Sequence, residues 1–112
     1  MSTVEEIQVD IAQAKEVVEL ADALERLYKN PDFQKVIQED LFKAEAARLV
    51  GLRANPNIQG NPQILAGIER SMTMIGELQQ HFHKIYVMAG QAEEAIRQGN
   101  LEIEALTEEG EF

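Results

Sequence analysis

Residues 62–99 read PQILAGIERSMTMIGELQQHFHKIYVMAGQAEEAIRQG. Within them Leu65, Ile68, Met72, Ile75, Gln79, Phe82, Tyr86, Ala89, Glu93 and Ile96 keep an unbroken 3-4 spacing, and eight of the ten are apolar. That spacing returns to one side of a 3.6-residue helix, so the stretch predicts a single helix with a continuous buried stripe. Ile64, Leu78, Ile85 and Ala92 widen the stripe beyond a two-stranded seam, as a bundle helix requires. Asn61 caps the start, with Pro62 at the first position, where a missing N–H costs nothing. Gly99-Asn100 reads as the stop.

Two further helices precede it. Thr3 and Glu6 have capping-box spacing, with Ser2 and Glu5 as a second register. Ile7, Ile11, Ala14, Val17, Val18, Ala21, Leu24 and Tyr28 then form one apolar stripe. Asn30-Pro31 ends that helix and starts the next, because the proline ring disfavours helical geometry at Asn30. In the second helix the apolar face has two phases: Phe33, Val36 and Ile37, then Leu41, Phe42, Ala46, Leu49, Val50 and Leu52. The slip falls at Glu39-Asp40 and predicts a kink or short break. Residues 55–62, NPNIQGNP, form the one loop dense in turn residues. The fold expected is therefore all-α: an antiparallel three-helix bundle or helical hairpin with one long C-terminal helix. The helices span about 3–29, 31–54 and 62–99 of a single domain, 1–100, and an acidic tail covers 101–112.

Length brings in partners. A helix over 62–99 is about 57 Å long at ~1.5 Å per residue, whereas a compact chain of this size is roughly 35 Å across. The overhanging end carries Ile85, Tyr86, Val87, Met88 and Ala89, five consecutive apolar residues that one helix face cannot hide. The competing reading is a break at Gly90, since glycine costs about 1 kcal/mol in a helix interior. With a continuous helix, Ile85, Tyr86, Val87 and Met88 become candidate partner-binding residues. Met74 joins them, two heptads from Met88 and off the core stripe, where a soft thioether suits an adaptable surface. Phe42 completes the set. Gly67, Gly76 and Gly90 either admit another helix closely or mark looser points.

Composition narrows the function classes. The chain has 112 residues, room for one domain with one modest core. With 45% hydrophobic and 27% charged residues it is foldable, and with no Trp its core rests on aliphatic side chains. The absence of Cys removes disulfides, thiol nucleophiles and thiolate metal sites. Acidic residues stand where a signal peptide would be basic, and no apolar run nears the ~18 residues of a membrane span. The expected location is therefore a cytoplasm, unless a larger particle carries the protein out. Net charge is −10: −4 over residues 1–30, zero over 31–60, −1 over 61–99 and −5 over 100–112. Such a chain repels phosphate backbones and anionic lipid, so neither nucleic acid nor membrane is an expected partner.

Motifs for chemistry are missing. His81 and His83 sit two residues apart and point about 200° away from each other on a helix, so they cannot chelate one ion. Glu77 with His81 has usable spacing, but two ligands make no metal site. Glu5-Glu6, Glu39-Asp40, Glu93-Glu94 and Glu108-Glu109 are adjacent pairs that diverge by ~100°, which suits a solvated face better than shared acid–base work. Ser2, Ser71, Thr3, Thr73 and Thr107 lie in no nucleophile context, and Gln59-Gly60-Asn61 is followed by no phosphate-binding lysine. No enzyme, cofactor or metal is expected.

The block NPDFQKVIQEDLFKAEAARLVGL, residues 30–52, followed by ILAGIERSMTMIGELQQHF, residues 64–82, resembles small helical virion and morphogenesis proteins of tailed bacteriophages. The likeness lies in packing positions over roughly residues 20–90 and implies a portal-associated, head-completion, decoration or internal protein. It brings no catalytic residue with it. The expected function is thus a non-enzymatic structural component of a phage particle, in the head, portal or head–tail region. Its expected partners are other virion proteins (capsid, portal or tail), in several copies or as a homo-oligomer. The alternative is a transient assembly chaperone or an acidic inhibitor of a host nucleic-acid enzyme.

Overall fold

A computed structural model describes residues 3–110. The Ser2 cap register and the last two residues of the expected tail lie outside the described residues. The described chain is all-helical, with one long C-terminal helix.

Helix α1 is Val4–Tyr28, and the Thr3 hydroxyl accepts from the Glu6 backbone N–H at 3.2 Å, as a capping residue does. Helix α2 covers residues 31–53. Asn30 caps it by accepting from the N–H groups of Asp32 at 2.9 Å and Phe33 at 3.2 Å. It opens as Pro31–Phe33, continues as a π-helix over Gln34–Glu45 and ends as an α-helix over Ala46–Arg53. Both junctions keep right-handed helical dihedrals, with φ near −60° at Phe33, Gln34 and Ala46. The phase slip at Glu39-Asp40 is therefore absorbed by wider winding, not by a break. A single turn, α3, spans Pro56–Gln59 and is capped by Asn55. Helix α4 is Pro62–Glu108, 47 residues. It passes Gly90 without interruption and also passes Gly99, where the spacing predicts an end. The segment expected to be a free acidic tail is helical through Glu108.

Within the chain two compact units pack separately, one of residues 1–25 with 84–112 and the other of 26–83. In the first, α1 buries Ile7, Ile11, Ala21 and Leu24 while α4 buries Ile85, Ala89 and Ala92. Gly99 is buried against Ile7 and Ile11, and Ile96, Ile103 and Leu106 are half-buried. The two helical segments run antiparallel. With Gly99 opposite Ile11, antiparallel pairing sets the buried Ala21 and Leu24 beside the buried Ala89 and Ile85, whereas a parallel one would carry Leu24 beyond Glu108, where the helix ends. Residues 85, 89, 92, 96, 99, 103 and 106 keep one 4-3 spacing throughout, which is why the helix does not stop at Gly99. Each aliphatic side chain fully buried here contributes about 1.5–3 kcal/mol.

The second unit centres on Leu49, Ile68 and Ile75, with Leu41, Phe42, Ala46, Leu52, Ile58 and Met72 packed against them. Beside this core the Phe82 ring meets Tyr28 at 6.0 Å, Phe33 at 6.1 Å and Phe42 at 6.1 Å between centroids. Tyr28 and Phe33 meet edge-on at 5.5 Å, within the range aromatic pairs prefer. Partial burial there raises the Tyr28 hydroxyl above its ordinary pKa. The π winding explains how Phe33 and Phe42 reach one ring. Nine residues are two and a half α turns, which would set them on opposite sides. With i→i+5 bonding and roughly 4.4 residues per turn, nine residues make about two full turns and bring both to the same side.

Candidate docking surface

Of the six residues expected to bind a partner, the structure brings only some to the surface. Ile85 is 7% exposed and belongs to the core of the first unit, so it is withdrawn from the candidate surface. The length of α4 alone does not reveal α1, which covers Ile85 and Ala89 from within the chain. Obligatory association no longer follows from that segment. Its neighbours Tyr86, Val87 and Met88 remain 39–46% exposed. Phe42 is half-buried in the aromatic cluster of the second unit and serves its packing. Met74 is the most exposed large apolar residue among those described, at 67%.

Met74 stands at the edge of a groove of about 290 Å³ in the second unit, lined also by Leu41, Glu45, Leu49, Ile75 and Leu78. Two elements build it: the end of the π segment with the α turn after it, and the middle of α4. Its polar groups are already engaged. Arg48 donates to both carboxylate oxygens of Glu45, at 2.9 and 2.5 Å, and this bonding lowers the Glu45 pKa. The Ser71 hydroxyl, also on the wall, donates to the Gly67 carbonyl at 3.1 Å. What remains is an apolar trough with an ion pair at its rim, suited to an aliphatic or aromatic side chain of a partner.

Of the two readings left open for Gly67, Gly76 and Gly90, close approach of another helix is not what the structure shows. A Cβ at Gly76 or Gly90 would meet nothing within 4 Å, and one at Gly67 only the Arg70 side chain at 3.6 Å, whereas Gly99, which reads from the sequence as a helix stop, is where two helices approach closely. Its signal was present in the heptad that runs through it. His81 packs its ring 6.4 Å from Phe82. Among the described residues no group of three His, Cys, Asp or Glu could hold a metal ion, and no helix is long and apolar enough to cross a membrane.

Pairing the chain ends also concentrates charge. Residues 1–25 and 84–112 hold fourteen acids and three bases, or −11, while residues 26–83 hold six acids and seven bases, or +1. One of the three bases, Arg97, is bound to Glu94, donating at 3.0 and 2.5 Å. Gln98 donates to the same carboxylate at 3.0 Å. The Arg97 bonds, then that of Gln98, hold the Glu94 pKa down at about 2. Comparison of the chain with protein-family profiles, with curated proteins and with solved structures gives no match.

Proposed function

We propose that this chain is a non-enzymatic structural component of a tailed-phage particle that binds neighbouring virion proteins through the groove beside Met74. One observation carries the reading. The two blocks that resemble phage morphogenesis proteins, residues 30–52 and 64–82, both fall in the second unit, and the groove is lined from both: Leu41, Glu45 and Leu49 from one, Met74, Ile75 and Leu78 from the other. The resemblance and the exposed apolar surface thus coincide. Mass spectrometry of purified particles of the encoding phage tests it, with stoichiometric recovery expected. A Met74→Asp variant, altering an exposed side chain, keeps the wild-type melting temperature and enters particles at a fraction of the wild-type level. Absence of the protein from particles, or equal incorporation of the variant, refutes the reading.

The second reading, a transient chaperone or an acidic inhibitor of a nucleic-acid enzyme, is favoured by the charge of the first unit. Phosphate mimicry wants acids gathered along one body, and antiparallel pairing joins the two acidic ends that stand far apart in sequence. A protein absent from particles but recovered on a host nucleic-acid enzyme during infection would favour it.

A further inference from the structure

Helix α1 carries an apolar stripe and, on its far side, a mixed row of apolar and polar residues. The stripe, at residues 7, 11, 14, 18 and 21, faces α4. The row, with the same 4-3-4-3 spacing, is Val9, Gln13, Glu16, Leu20 and Ala23, offset by two residues and hence about 200° around the helix. Val9 is 56% and Leu20 54% exposed, so this face has no partner within the unit. From these positions we propose that the outward face of α1 docks a basic amphipathic helix of another protein.

The occupant follows from charge. Glu16 lies in the row, and Glu5, Glu6 and Glu19 each stand three or four residues from one of its members, the spacing at which side chains adjoin. The one base of residues 4–25, Lys15, is four residues from Ile11 and so belongs to the other side. A second copy would set the same glutamates against themselves on a unit of charge −11. Nucleic acid and anionic lipid are repelled in the same way. A helix with Leu or Ile at 3-4 spacing and flanking Lys or Arg satisfies both features at once: its apolar edge covers Val9 and Leu20, about 16 Å apart along α1, and its cations meet the four glutamates. The proposal rests on the reading of the chain as a protein-binding module, but it concerns a different unit from the Met74 groove.

The test uses the full chain and a fluorescent helical peptide of Leu and Lys with Leu at heptad a and d positions, beside a shuffled peptide of the same composition. Anisotropy titration is expected to show the patterned peptide binding about tenfold tighter than the shuffled one. Leu20→Asn removes about tenfold of that affinity, while Leu101→Asn, at an exposed leucine of α4, leaves it unchanged. Raising salt from about 50 to about 300 mM weakens binding further. Equal binding of the two peptides, no binding of either, or an unaffected Leu20→Asn variant overturns the proposal. Because the readout is in solution and away from Met74, it can fail while particle incorporation succeeds, and the reverse.

Discussion

Gly99 of α4 and Ile11 of α1 approach so closely that a Cβ on the glycine would stand 3.0 Å from both Cδ1 and Cγ1 of the isoleucine. Ile7 Cγ2 would be 3.3 Å away. Alanine here gains about 1 kcal/mol of helix propensity but must push Ile11 out of a packed seam, and overpacking costs about 1–3 kcal/mol. Gly99→Ala is therefore expected to destabilise by about 1 kcal/mol, and Gly99→Val by more. Gly90→Ala meets open space and should stabilise by about 0.5–1 kcal/mol. Urea unfolding of the two variants side by side gives the opposite signs directly.

Phe82 holds the aromatic cluster together, since Tyr28, Phe33 and Phe42 each meet its ring within about 6 Å. Removing a well-packed Phe costs about 3–5 kcal/mol in a full core; a half-buried one should cost about 2–3. The loss has a local signature as well. The π winding over Gln34–Glu45 is what lets Phe33 and Phe42 share that ring. In Phe82→Ala, amide exchange across 34–45 should therefore rise more than across Ala46–Arg53. Uniform loss of protection along α2 would count against this account of the winding.

The first and last helices are legible because each carries a stripe longer than four turns, and Asn-Pro pairs at 30–31, 55–56 and 61–62 separate the helical segments. The errors have a common physical source: a stripe says that a face is buried, not what buries it. Ile85 reads as a partner-facing residue because nothing in its own helix shows that Ile7 to Leu24 lie along it. Gly99 reads as a stop because glycine commonly follows a helix end, yet Ile103 and Leu106 continue its heptad. At Glu39-Asp40 the slip was visible in the sequence. Its resolution as a π segment was not, since periodicity reports a change of phase and not the hydrogen bonding that absorbs it. The groove beside Met74 depends on how two stripes meet, which is a property of neither alone.

Glu94 offers a pH test. Its folded pKa, about 2, is depressed by hydrogen bonds from Arg97 and Gln98. A carboxylate depressed in the folded state contributes stability above its unfolded pKa and loses it as pH falls towards the folded value. The difference in stability between wild type and Glu94→Gln should be constant from neutral pH down to the ordinary carboxylate range, then vanish as pH falls through about 2. The pair is fully exposed, so the difference is small. Carboxyl-carbon NMR of Glu94 gives the sharper reading, a midpoint well below the ordinary carboxylate range.

Truncation after Asn100 separates a packed helix end from an acidic tail. Residues 101–108 contribute half-buried Ile103 and Leu106, together worth about 2 kcal/mol at half the usual burial. The truncation also removes five acids and no base, residues 101–112, from a unit already rich in acids, and their repulsion opposes the gain. Salt screens the repulsion, with a Debye length near 30 Å at about 0.01 M and 3 Å at about 1 M, while leaving apolar burial in place. The truncated chain should therefore be less stable than the full one by about 1 kcal/mol in dilute buffer, a deficit approaching about 2 kcal/mol in molar salt. A solvent-borne tail would behave oppositely: its removal would be neutral or stabilising at low salt, and the effect would shrink as salt rose. The sign of the salt dependence in paired urea titrations decides between them.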